Sequence, residues 1–334
     1  MEAPIHPRAR ISAIVRQAYR DEATRGGDNN TLWLSAWSKL QSTNTRFHLG
    51  ALSADGLEWD LHDLWYLFFE ASANISEDNP ALDRLILEVI RVREHGPLVR
   101  EDVNDNGLAD AATSDGNAWT DLPFLIPDMT GYWLQNHAAM SSAQRLSFSK
   151  FLAGLASSGV GRDDGLCGIA LAMFVQVLET PRALGTLADQ QQEQDTSRQP
   201  QDLTIAAYLP SINIWFNWAG LRIVQLSESN KSWSLAEQAP GPLCRSSNIR
   251  MGLDMADGFC ATRWIFWLTR LEDLVASFRG SGEDGLSTFA AGIMDNMLII
   301  AEGTGGRLKK DLEMAYTRGT VNHRPVPQSP PSHQ

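Results

Sequence analysis

The stretch LHDLWYLFFEASANISEDNPALDRLILEVIRVREHG, residues 61–96, decides the fold. Its first half crowds Leu64, Trp65, Phe68 and Phe69 into an apolar helix over 61–75. Asn79 then offers a capping side chain, and Pro80 has the fixed φ and missing N–H that suit a first helical position. Leu82, Leu85, Ile86, Val89 and Ile90 recur at three- and four-residue steps, which is one face of a helix, and His95-Gly96 closes it. Two helices joined by so short a turn read as an antiparallel pair.

The same period extends outward in both directions. Ile11, Val15, Ala18 and Tyr19 make a stripe over 8–24, and Asn30 or Thr31 caps a helix carrying Leu34, Trp37 and Leu40. A helix-prone block at 118–136 is broken by Pro123 and Pro127, and Ser141 or Ser142 opens a helix running to 155. GLCGIALAMFVQVL, residues 165–178, is continuously apolar but shorter than the roughly 20 residues of a membrane span, so it reads as a buried core helix. Further helices are expected from about Pro210 and over 260–277, 286–302 and 307–317, with 229–248 irregular. Alternating Val/Ile/Thr runs are missing. The expectation is an all-α protein without a sheet, one large irregular bundle of about ten to twelve helices. That domain should span 30–318, after an N-terminal helix and loop at 1–29. Flexible loops are expected near 98–118 and 187–203, and a disordered Pro-rich tail at 319–334.

Composition narrows the partners. Of 334 residues, 43% are hydrophobic and 20% charged, as in a folded chain. A net charge of -12 with no basic cluster beyond Lys309-Lys310 argues against nucleic acid. Cys167, Cys244 and Cys260 are too far apart for a zinc pattern and too few for a disulfide framework. The first twenty residues are charged throughout, unlike a secretory signal, so the expected location is the reducing cytoplasm.

Four constellations carry candidate chemistry. DVNDNGLADAAT, residues 102–113, spaces Asp102, Asn104, Asn106, Gly107 and Asp110 as in a calcium loop, but Thr113 stands where the bidentate glutamate belongs; an Asx-rich turn accounts for it better. Asp60, Asp63 and Glu70 share a helix face and can hold Mg2+, or can simply be that helix's wet side. Asn213 and Asn217, four apart, place amides among Ile212, Trp215, Phe216 and Trp218. Class I terpene cyclases hold magnesium and diphosphate with Asn, Ser/Thr and Glu at four-residue steps; here Leu221 and Gln225 follow Asn217 and depart from that pattern. An asparagine ladder between packed helices is the plainer account. Finally, Trp215, Trp218, Trp264 and Trp267 form dense aromatic helices, either core or the wall of a cation-stabilising cavity. Arg222, Arg263 and Arg270 nearby can clamp a diphosphate or pair with carboxylates. Walker, GxGxxG, HExxH, GxSxG and CxxC motifs are all missing.

The succession LWYLFFEASANISEDNPALDRLILEVIRVRE, WTDLPFLIPDMTGYW and RWIFWLTRLEDL resembles a family of fungal proteins of unknown function associated with secondary-metabolite clusters, over roughly residues 30 to 280. That group is similar to the non-canonical fungal α-humulene synthases. The resemblance implies a sesquiterpene cyclase that converts farnesyl diphosphate with magnesium. On that reading Asp63, Asn213 and Asn217 hold the metal, and Asn217, Trp215 and Arg263 form the catalytic group. Arg222, Trp218 and Trp264 bind the apolar diphosphate substrate. The sequence shows no intact DDxxD and no intact Asn/Ser/Glu triad. The alternative is a helical scaffold that holds a partner protein.

Overall fold

A computed structural model describes residues 7–25, 29–102, 107–233, 238–251 and 257–322. Asn104 and Asn106 of the calcium-like loop, and residues 323–334 of the Pro-rich tail, lie outside them. Twelve α-helices and two small hairpins make up the described chain, confirming the all-α class. The chain divides into two compact units, the first comprising residues 1–166 with 193–198 and the second 167–192 with 199–334.

The first unit is built around α3 (Ala54–Asn74), against which α1 (Pro7–Thr24), α2 (Asn29–His48), α5 (Leu125–Asn136) and α6 (Ser142–Ser157) pack. Ser53 caps α3 by accepting from the Gly56 N–H, which satisfies one of the donors a helix start leaves open. α4 (Pro80–Glu94) starts at Asn79-Pro80 as its sequence dictates, with the Asn79 side chain accepting from the Ala81 N–H. It packs on α2 and α6. The α4–α6 approach depends on Gly154, where a Cβ would stand 2.6 Å from the Ile86 Cδ1. In α6, Ser141 and Gln144 form a reciprocal capping box. Trp65, Phe68, Trp133, Phe148 and Phe151 fill the core between α3, α5 and α6.

Three readings change here. In α2 the buried stripe is Leu32, Ala36, Leu40, Thr43 and Phe47, whereas Leu34 and Trp37 are 48% and 38% exposed. The stripe is offset because α3 and α4 cover the face carrying Leu32 and Ala36, a tertiary choice that periodicity alone leaves open. Within 98–118, expected as loop, β1 (Val99–Asp102) pairs antiparallel with β2 (Gly107–Asp110), and β3 (Ala112–Thr113) with β4 (Gly116–Asn117). Pro123 delays α5, and Trp119, Leu122 and Phe124 before it take left-handed φ values of 65°, 49° and 64°. Such values are costly for side chains of this size.

The second unit takes α7 (Gly165–Leu178) from Cys167 on, with α8 (Ile205–Glu228), α9 (Pro242–Met251), α10 (Ala261–Gly280), α11 (Asp284–Thr304) and α12 (Arg307–Thr317). α10 and α11 form an antiparallel hairpin, and α8 packs on α11. Thr204 caps α8, so the helix begins five residues before Pro210, which sits inside it. α9 occupies part of the stretch expected as irregular. Between α7 and α8, short 3-10 turns cover Leu187–Gln191 and Pro200–Asp202, and Arg182 donates to the carbonyls of Pro200 and Leu203 at 2.5 Å each. No described helix is long and apolar enough to cross a membrane.

Candidate functional site

The acidic row of α3 is drawn into separate partnerships. The Asp60 carboxylate receives Lys39 Nζ at 3.0 Å and Arg46 Nη1 at 2.7 Å. Asp63 Oδ1 accepts from the Ser12 hydroxyl and from Arg16 Nε at 2.9 Å. Asp63 is thus neutralised by α1 rather than held open for a metal. His62, Tyr66, Glu70 and Asn74 follow one another at four-residue steps, so they form one row along α3. α5 answers with Asp128, Tyr132 and Asn136 at the same spacing. His62 Nδ1 lies 2.7 Å from Asp128 Oδ2, and the Tyr66 and Tyr132 rings meet edge to face with centroids 5.5 Å apart.

The row ends in a recess of about 420 Å³. Tyr66, Glu70 and Asn74 come from α3, Arg20 from α1, Asn136 from α5 and Gln144 from α6. Gln194 and Thr196, from the segment 193–198, stand at its exposed edge. That segment is fixed by the Asp195 N–H on the Ala139 carbonyl at 2.9 Å and by Arg198 Nη1 on the Met140 carbonyl at 3.2 Å. Inside, the Tyr66 hydroxyl donates to Glu70 Oε1. Gln144 Nε2 donates to Asn74 Oδ1 at 2.9 Å, and Asn136 Nδ2 to the Tyr132 carbonyl at 2.8 Å.

Burial holds the Glu70 carboxyl above the ordinary glutamate range, and the Tyr66 hydroxyl and the Arg20 charge offset only part of that. Burial and the facing carboxylate push the Tyr66 phenol up as well, so it stays a proton donor. A carboxyl with a raised pKa beside a tyrosine, in a recess rimmed by amides and one guanidinium, can exchange a proton with a carbonyl-bearing ligand more readily than an ordinary glutamate. Glu70 was visible as part of the helix face. Its distinguishing environment was not, because it is supplied by α1, α5 and α6.

The second unit holds the other candidate residues. Arg263 is fully buried and forks onto Glu179, with Nε to Oε1 at 2.8 Å and Nη2 to Oε2 at 3.0 Å. Its Nη1 donates to the carbonyls of Gln238 at 2.8 Å and Gly258 at 2.7 Å. Trp267 Nε1 and the Gly241 N–H complete the Glu179 shell at 2.8 and 2.7 Å. Every strong donor and acceptor of this cluster is occupied, so it ties three segments together and offers no free group to a ligand. Glu179 carried no signal in the sequence, as its side-chain partners lie 62 or more residues away.

Trp215 and Trp264 are buried. Trp264 meets Phe216 edge on at 5.6 Å, Phe216 stacks on Phe174 at 5.0 Å, and Phe174 meets Trp267 at 5.1 Å. These rings fill space against one another, as core aromatics do. Trp218 is 42% exposed, Asn213 half-buried, and Asn217 exposed with its Oδ1 accepting from Asn296 Nδ2 at 2.7 Å. Arg222 donates to Gln225 Oε1 at 2.9 Å. Asp63 belongs to the first unit and Asn213, Asn217 and Arg263 to the second. Among the described residues no three His, Cys, Asp or Glu side chains gather as metal ligands do, and the two amides do not make the carboxylate-rich set that magnesium prefers.

Fold and site together define a mostly helical protein with a carboxyl-bearing polar recess in its first unit and a fully paired Arg263–Glu179 cluster in its second. The chain belongs to the DUF3632 family, proteins of unknown function, which it matches over residues 65–271. It is 32% identical over 280 residues to the oxopyrrolidines biosynthesis cluster protein G of Penicillium oxalicum, covering 83% of this chain and 76% of that one. No solved structure matches it.

Proposed function

We propose that this protein serves in the biosynthesis of a fungal secondary metabolite, and that the recess at Glu70 holds a small polar intermediate of that pathway. The name of the Penicillium relative supports the pathway, since it refers to a cluster that makes oxopyrrolidines. One observation supports the site: a buried carboxyl whose pKa is raised by burial, hydrogen-bonded to Tyr66 and surrounded by Asn74, Asn136 and Gln144. Asn74 and Gln144 bond to each other, to the Glu70 carbonyl and to the Ser141 N–H, so the second hydrogen of each NH2 and the Asn136 oxygen are what would meet a ring amide such as an oxopyrrolidine carries. Glu70 would hand a proton to the ligand carbonyl or take one from its neighbouring carbon.

The test is genetic and chemical. Deleting the gene in its producing fungus and complementing it with wild type or with Glu70→Gln is read by mass spectrometry of the culture extract. Wild type should restore the lost metabolite and Glu70→Gln should not. An unchanged extract after deletion overturns the pathway role. Full rescue by Glu70→Gln overturns the site while leaving that role intact.

The rival reading is cyclisation of farnesyl diphosphate with magnesium, motivated by the aromatic interior around Trp215 and Trp264. It would require Arg263 to leave Glu179 and Asp63 to leave Arg16. Purified protein incubated with farnesyl diphosphate and magnesium, with products followed by gas chromatography, distinguishes the two. A hydrocarbon or alcohol product favours cyclisation, and its absence favours the recess.

A further inference from the structure

Three arginines stand near the aromatic helices of the second unit, and two of them are engaged. Arg263 is bound by Glu179 and two carbonyls, and Arg222 reaches Gln225. Arg270, two turns beyond Arg263 on α10, is different. It is half-buried, and its Nε is sealed from solvent without a hydrogen-bond acceptor. No carboxylate of the described residues forms an ion pair with it. Asp273, one turn on and lining the same pocket, attracts it without forming an ion pair, and burial draws the guanidinium below its ordinary pKa. A cation taken out of water without a counter-charge costs stability, and folding gains nothing from it locally.

That arginine opens into a pocket of about 380 Å³ between α9 and α10, within the size range of small-molecule sites, roughly 300–1,000 Å³. Leu243, Ile265 and Phe266 give the pocket an apolar wall. The neighbouring hydroxyls are mostly committed: Ser246 donates to the Pro242 carbonyl, and Thr269 to those of Ile265 and Thr320. Ser247 also lines the pocket. The guanidinium is thus the one cation lining the hollow, with the Asp273 carboxylate beside it on the same wall.

We infer that this pocket binds a small amphiphilic carboxylate, with the carboxylate forked onto Arg270 and the hydrocarbon part against Leu243, Ile265 and Phe266. A planar guanidinium matches a carboxylate through two parallel N–H bonds. A single cation with Asp273 beside it suits a head group of one negative charge, and disfavours the dianionic form of a phosphate. The site is separate from the Glu70 recess and does not depend on it, since the two lie in different units.

Calorimetric titration of the full chain with sodium octanoate at neutral pH tests the inference, with inorganic phosphate and octanol as comparison arms. Octanoate should bind saturably, one per chain. Arg270→Gln should weaken it about tenfold or more, the worth of one charge-assisted pair, while Arg270→Lys keeps part of the affinity. Arg270→Gln should also melt no lower than wild type, because it removes an uncompensated charge. Four results overturn the proposal: no saturable binding up to about 10 mM octanoate; equal affinity in Arg270→Gln; phosphate or octanol binding as well as octanoate; or a clearly lowered melting point for Arg270→Gln, which would make the arginine a structural partner.

Discussion

Replacing Glu179 by Gln is the most severe isosteric change this structure offers. The carboxylate accepts four hydrogen bonds, from Arg263 Nε, Arg263 Nη2, Trp267 Nε1 and the Gly241 N–H. All four partners are donors. An amide keeps one acceptor oxygen but turns an NH2 toward the other two donors, so at least one pair becomes donor against donor. The change also strips Arg263 of its counter-charge while its side chain stays fully buried. Breaking a buried pair on one side costs about 3–5 kcal/mol. That is a large share of a total near 5–15 kcal/mol. For a unit of this size about 1 kcal/mol moves the melting point by roughly 2–4 °C, so a fall of about 6–20 °C is expected. Differential scanning calorimetry measures it, and hydrogen exchange should locate the lost protection in the second unit. A fall below about 3 °C, or loss confined to the first unit, would refute the account of the cluster as a structural lock.

Other consequences follow from the same geometry. Trp267→Phe removes one of the four donors and shrinks a fully buried indole to a phenyl, so the lost hydrogen bond, about 1–2 kcal/mol, and the cavity left behind should add to roughly 2–4 kcal/mol by chemical denaturation. Gly241→Ala places a Cβ 2.6 Å from the Glu179 carbonyl oxygen, where backbone cannot yield, and should destabilise by about 1–3 kcal/mol or more. Ser141→Ala removes the capping box of α6 and should cost about 1 kcal/mol, with raised amide exchange in its first turn. For Glu70 the folded pKa lies above the unfolded one, so its contribution is fully present at low pH and is lost as pH rises through the folded value. The melting point of Glu70→Gln relative to wild type should therefore climb as pH rises from the ordinary glutamate value, about 4.3, through the raised folded one. A difference that stays flat or falls as pH rises would contradict a carboxyl whose pKa burial raises.

Much of the helical skeleton was legible because helix signals are local. Asn79-Pro80 opens α4 and Ser141 opens α6 within one turn of the residues that need capping. The apolar run 165–178 needs no distant partner to read as a core helix, and its structure agrees. Phase and partnership were not legible. Leu34 and Trp37 fit a helical period as well as Leu32 and Ala36 do, and only the position of α3 and α4 selects between them. The short hairpins at 99–117 were missed because strands of two to four residues carry almost no alternation to detect.

Local residue patterns already required that this chain fold as helices, set where most of them start and stop, and laid its acidic and aromatic residues in rows. Tertiary structure alone decided what each row does. Asp63 is bound through Ser12 and Arg16 and Asp60 through Lys39 and Arg46, while burial raises the pKa of Glu70. Arg263 finds Glu179 across 84 residues, and Arg270, on the same helix, finds no such partner. The reason is that capping and periodicity act within a turn of backbone. The charge state and availability of a side chain depend on which distant helix comes to lie beside it.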